Sequence, residues 1–162
     1  MASALAGSAK ISSIFDGNTA DANLIGIEYI VSERLFESLP AEEKPNWHPH
    51  NYEILSGTLI LPGVPAPAEK AALAKKLNSY GKTWHIWDTG HAGHPAAHNL
   101  PIGKPLLAWS YNRDGEAPVE LIQARDRRMK VDTAEKRRER ADLEPQAKPQ
   151  VGTDAVKPKK PE

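Results

Sequence analysis

Trp47-His48-Pro49-His50-Asn51-Tyr52-Glu53 places two imidazoles, an aromatic ring and a carboxylate within seven residues. Alternate side chains of an extended chain share a face, and a residue before proline is pushed out of the helical region. His48 and His50 are therefore expected to point the same way. Two neutral imidazoles aimed at one point can hold a divalent metal ion. A third imidazole, His85, sits between Trp84 and Trp87, and Glu53 offers an oxygen ligand. The expected metal set is His48, His50, His85 and Glu53, with structural packing of the imidazoles as the alternative. Trp47, Tyr52, Trp84 and Trp87, with Glu28, form the candidate pocket or contact surface. Trp84 and Trp87 fall on opposite faces of a strand, so one of them is expected to face away from the main core. No catalytic residue is assigned. His91, His94 and His98 have ligand-like spacing but lie in a Gly/Ala/Pro loop, where ordering three side chains around an ion is costly.

The elements that must position these groups can be read from periodicity. Leu24 to Val31 alternates like a strand. Ser32 is placed to cap a short helix ending before Pro40. Tyr52 to Leu61 reads as β structure broken by the turn pair Ser56-Gly57. A helix is expected from Pro67 to the stop at Gly81, with Leu73, Leu77 and Tyr80 on one face. Lys82 to Thr89 and Leu106 to Asn112 read as strands, and Pro118 opens a further helix. Asp132 followed by Glu135 matches a capping pattern ahead of a charged helix. The pattern predicts an α+β fold. Its sheet is mostly antiparallel with four to five strands, one helix is inserted, and further helices lie at the C-terminus. The expected organisation is a loosely ordered start (1–22), an α+β domain (23–130), a charged helix (131–143) and a disordered Pro/Lys tail (144–162).

The 162-residue chain has no cysteine and a formal net charge of zero. Disulfides, thiolate metal sites and cysteine nucleophiles are excluded. The charge is uneven. Residues 1–124 carry 9 basic and 13 acidic residues, and residues 125–162 carry 12 and 8. The basic end, from Arg125 to Arg140, is a candidate face for an anionic ligand, although acidic residues interleave with it as on an ordinary solvated helix. No nucleic-acid motif, nucleophile elbow or dinucleotide fingerprint is present, and Gly81-Lys82-Thr83 lacks the upstream glycine of a phosphate loop. No apolar run approaches the ~20 residues of a membrane span, and Met1 to Ser13 lacks a secretory apolar core.

Several motifs in register resemble the oil body-associated protein family, whose domain has no assigned biochemical function. They are Leu24-Ile25-Gly26-Ile27-Glu28-Tyr29-Ile30, Leu39-Pro40-Ala41-Glu42-Glu43, Trp47 to Glu53, Tyr80-Gly81-Lys82-Thr83-Trp84-His85-Ile86-Trp87, Pro101-Ile102-Gly103, and Arg125-Asp126-Arg127-Arg128. The resemblance implies a peripheral lipid-body or stress-related protein, cytoplasmic or on lipid droplets, with no established reaction. It also implies an N-terminal segment with paired histidines that this chain does not carry. On that comparison the chain is expected to be a shortened form with an incomplete site, or with an exposed sheet edge that would support a homodimer. The functional alternatives are a metal-binding protein or metal-dependent enzyme, and a tryptophan-lined small-ligand module.

Overall fold

A computed structural model describes residues 9–17, 19–87, 101, 104–150, 154 and 156–157. The chain divides into two compact units, one of Met1–His48, Tyr80–Trp109 and Thr153–Glu162, the other of Pro49–Ser79 and Ser110–Gly152. Residues 23–130, expected as one α+β domain, contribute to both units.

The first unit is built on the sheet. Strands β1 (Lys10–Phe15) and β2 (Leu24–Val31) form an antiparallel hairpin. The Asp16 carboxylate closes it by accepting from the backbone and side-chain nitrogens of Asn23. Residues 10–15, expected to lie in a loose start, are therefore ordered by pairing with β2, a non-local partner that composition does not reveal. Ser32 caps helix α1 (Glu33–Glu37) by accepting from Leu35 N, as its position predicts. His48 opens the two-residue strand β3 (His48–Pro49). Strand β4 (Tyr80–His85) runs antiparallel to β2, with Glu28 opposite Thr83 and Gly26 opposite His85. Strand β5 (Leu106–Leu107) pairs with β4. The order β1-β2-β4-β3, with β5 also on β4, gives a five-stranded sheet. The architecture is α+β and mostly antiparallel, as the periodicity implies.

Alternation along these strands makes two faces. Tyr29, Val31 and Tyr80 share the face that packs on Phe36 and Trp47, with Leu35 and Leu39 against them. The Phe36 and Tyr80 rings stack with centroids 3.6 Å apart. Burying each such aromatic removes enough apolar area to contribute roughly 1.5–3 kcal/mol. Glu43 accepts from Trp47 Nε1 and from Lys82 Nζ (2.6 Å). The Lys82 ammonium is the main reason its carboxyl is held below the usual range.

The second unit is helical: α2 (Asn51–Leu55), α3 (Ala66–Ala74), α4 (Val119–Met129), α5 (Thr133–Glu139) and a 3₁₀ segment, Ala141–Gln146. Ile54, Leu73 and Leu143 supply its buried apolar side chains. The β segment expected from Tyr52 to Leu61 is not formed. Asn51–Leu55 is helical, which turns Ile54 fully inward, and Glu53 O accepts from Leu59 N to fold the chain back. A five-residue apolar pattern does not separate the two periods. Helix α3 ends at Ala74 rather than at Gly81, because Asn78 adopts a left-handed conformation (φ 64°) and Tyr80–Gly81 belong to β4. The strand expected from Leu106 to Asn112 contracts to Leu106–Leu107, with one further bond from Ala108 N to Thr83 O.

Asp132 caps α5 by accepting from Ala134 N and Glu135 N, and Pro118 precedes α4. Part of the expected C-terminal tail is ordered. Asn51 and Asn78 bond to each other, to Lys148 N and O and to Gln146 O, while Gln150 bonds to Asn51 N and Ser79 O. Amide side chains, able to donate and accept at once, make that attachment.

Candidate functional site

The face of the first unit's sheet opposite the aromatic core carries Gly26, Glu28, Thr83 and His85. Glu28 Oε1 lies 3.1 Å from His48 Nε2 and accepts from Thr83 Oγ1 at 3.2 Å. With Glu28 ionised, His48 carries its proton on Nε2, and in the neutral ring Nδ1 holds the lone pair. His85 is two residues beyond Thr83 on the same face. A methyl group on Gly26 would meet Trp84 O at 2.7 Å and approach His85 Cδ2 to 3.5 Å, so glycine leaves that position open beside the ring.

His50 belongs to the second unit. Its conformation is helical (φ −104°, ψ −14°), not extended, because it leads into α2. His50 Nδ1 lies 2.8 Å from Ser79 Oγ, and Ser79 Oγ donates its single proton to Lys76 O at 2.6 Å. Nδ1 must then be the donor to Ser79, which leaves Nε2 with the lone pair in the neutral ring. In each unit a histidine is oriented through one ring nitrogen, the arrangement that also orients metal-binding imidazoles. Glu53 lies on α2 in the second unit.

Tyr52 donates to Asp114 Oδ1 at 3.0 Å, and Arg137 grips both oxygens of Asp114 at 2.9 and 3.0 Å. Burial, and then the Asp114 carboxylate, push the Tyr52 phenol up to about 12. Tyr52 is thus a hydrogen-bond donor within the second unit.

Trp47 is a core residue. Trp84 is half-buried on the core face, with Lys82 Nζ 5.7 Å from its ring centre. Strand β4 stops at His85, so Trp87 lies in a bend beyond it, and the opposite-face argument for that residue lapses. Trp109 carries Lys157 over its ring at 5.4 Å. His91, His94 and His98 lie outside the described residues.

Sequence reading missed a buried charge cluster in the second unit. Arg140, taken for part of a solvated basic face, is 1% exposed. Its Nη1 donates to Ile54 O and Leu59 O, each at 2.8 Å. Its Nη2 lies 3.2 Å from Glu69 Oε2, an ion pair without the alignment of a hydrogen bond. Glu69 also pairs with Lys136 at 3.0 Å and accepts from Leu61 N at 2.8 Å. Burial raises the Glu69 carboxyl, but Leu61 N, Lys136 and Arg140 outweigh burial and hold it below the ordinary range. The only sequence signal was the three-residue step from Arg140 to the buried Leu143, which puts both on one helical face.

The chain matches the model of a family described as a protein of unknown function (DUF1264) over residues 3–144. It is 43% identical over 128 residues to oil body-associated protein 1B of Arabidopsis thaliana, covering 79% of this chain and 51% of that protein. It is 42% identical to oil body-associated protein 1A of Zea mays over 79% of this chain and 52% of that protein. Against oil body-associated protein 2A of Zea mays the identity is 41%, over 86% of this chain and 54% of that protein. The chain therefore spans about half the length of these curated relatives. No solved structure matches. Among the described residues, no helix is long and apolar enough to cross a membrane.

Proposed function

This chain belongs to the DUF1264 family, and on that premise we propose that it is a peripheral protein of lipid-body surfaces, facing the cytoplasm, with no catalytic step of its own. The observation that carries the reading is the similarity to relatives named oil body-associated proteins across three quarters or more of this chain. Exposed large apolar side chains, Phe15, Leu24, Ile86 and Leu106 in the first unit and Val119 and Leu121 in the second, supply surface that an apolar phase can take up. Flotation of the purified chain with triolein droplets coated in phosphatidylcholine tests it. The expected result is recovery in the floating layer at low salt. A chain that stays wholly in the aqueous fraction would refute the reading. A homodimer would form along the outer edge of β1, the terminal strand of the sheet, and sedimentation velocity reads it directly.

A further inference from the structure

Among the described residues, Leu143 is the last buried apolar side chain of the second unit. No side chain from Glu144 to Gln150 is buried. This segment is gripped by amides instead. Asn78 Oδ1 accepts from Lys148 N at 2.7 Å, and Asn78 Nδ2 donates to Gln146 O at 3.0 Å. Asn51 Nδ2 donates to Lys148 O at 2.9 Å. In an extended chain the main-chain groups of alternate residues point to one side, and the two asparagines read that side. Ala147 is extended (φ −81°, ψ 124°), and Lys148 precedes Pro149, which disfavours a helix there. Gln150 completes the ladder. Its Oε1 accepts from Asn51 N at 2.9 Å and its Nε2 donates to Ser79 O at 3.0 Å. Asn51 N is the first amide of α2, and the N-cap residue His50 makes no side-chain cap bond, so the glutamine satisfies one of the orphan donors of the helix. The receiving side is held independently of the segment. Asn78 is left-handed (φ 64°), its N donates to Asn51 Oδ1 at 2.6 Å, and Asn51 Nδ2 also donates to Asn78 Oδ1.

We infer that Asn51, Asn78 and Ser79 form a seat for an extended peptide, and that its occupant in trans is the 146–150 segment of a second copy of this chain. The contacts are those of a receptor with a peptide. Preset asparagine amides meet the main chain of residues 146 and 148 and one glutamine amide. Every copy carries that spacing, and none of the five bonds requires the segment to come from the same chain. Ordering five residues costs free energy of the same order as five hydrogen bonds return, so the segment sits in a shallow minimum. Exchange of the segment between copies keeps every bond, the condition under which identical elements swap. Pro149 keeps the free segment extended, which lowers the cost of docking it again. This pairing is separate from the lipid-body reading and from pairing along β1.

The test uses the whole 162-residue chain. The double variant Lys148→Pro, Gln150→Ala removes the Lys148 N–H and the glutamine amide and so opens the seat. Both positions lie beyond the buried Leu143, and circular dichroism should show the variant folded. The probe is a fluorescein-labelled synthetic peptide of residues 144–150, titrated by fluorescence anisotropy. It should bind the double variant at least about tenfold more tightly than wild type, whose own segment fills the seat and leaves only a small competent fraction. Adding Asn51→Asp keeps the acceptor for Asn78 N but removes the donor to Lys148 O, and should weaken the peptide at least about tenfold. Alanine in the peptide at the position of Gln150 should do the same. If the Asn51→Asp chain fails to fold, Asn78→Gly takes its place, since glycine keeps the left-handed backbone accessible. Sedimentation velocity then compares the double variant, a chain carrying Asn51→Asp alone, and their equimolar mixture. The first has a seat without a strap and the second a strap without a seat, so only the mixture should gain dimer. Equal peptide binding by wild type and the double variant, binding by neither, or binding indifferent to Asn51→Asp overturns the seat. A mixture no more dimeric than its components overturns the second copy as its occupant.

Discussion

Replacing Arg140 by alanine removes a guanidinium that is 1% exposed and that reaches two carbonyls, Ile54 O and Leu59 O, as well as the Glu69 carboxylate. Breaking a buried pair by deleting one partner costs about 3–5 kcal/mol, because the other charge stays buried. Lys136, 3.0 Å from Glu69, remains and offsets part of that loss. Two carbonyls stripped of a charged donor add about 1–3 kcal/mol each where water does not replace it. A net loss of about 4 kcal/mol is expected, a large share of the ~5–15 kcal/mol that holds a typical domain folded. Urea unfolding followed by circular dichroism measures it, with the slope checked for constancy so that the midpoint reports stability. The Glu69→Gln variant completes the argument. If Arg140 and Glu69 are coupled, the double variant should lose less than the two single losses together, by about 1 kcal/mol or more on the scale expected for contacting pairs. A loss below about 1 kcal/mol for Arg140→Ala, the scale of an exposed pair, would refute the assignment of this cluster as the second unit's electrostatic centre.

Glycine substitutions separate strain from collision. Gly57 has φ +82°, and a Cβ there would run into Thr133 O and Lys136 Cβ, whereas Gly115 has φ +80° and open space around it. Gly115→Ala should cost about 1–2 kcal/mol, the left-handed penalty alone, and Gly57→Ala clearly more in the same unfolding assay. Acid should weaken the second unit. Glu69 and Asp126 have folded carboxyls held below their ordinary range, so their stabilisation is complete above about pH 4–5 and is lost as pH falls through the folded values. The urea midpoint should fall on going from about pH 7 to about pH 3.5, and by less in Glu69→Gln; equal falls would contradict this. One of the four tyrosines should titrate near 12 rather than 10 by ultraviolet absorbance, and Tyr52→Phe should remove that step. Because that phenol resists ionisation only when folded, its contribution to stability is full below about pH 10 and fades as pH rises towards 12.

Local rules decided what local rules can. Alternation from Leu24 to Val31 and from Lys82 onward marked β2 and β4, since a period of two sustained along a segment suits a half-buried strand and not a helix. Ser32 and Asp132 marked two helix starts because an N-cap is a contact within three residues. The absence of cysteine and the basic C-terminal quarter were composition, and folding does not change them. Tertiary structure decided the rest. Asn51–Leu55 became a helix because Ile54 could be buried that way, a choice made by the second unit's interior rather than by five residues of pattern. Arg140 moved from expected surface to interior because Glu69, 71 positions earlier, and two carbonyls from elsewhere in the second unit satisfied it. His48 and His50 differ in backbone and in partners, Glu28 for one and Ser79 for the other. Their spacing is written in the chain. The proton on each ring is set by residues 20 and 29 positions away, and such long-range pairing leaves no local signature.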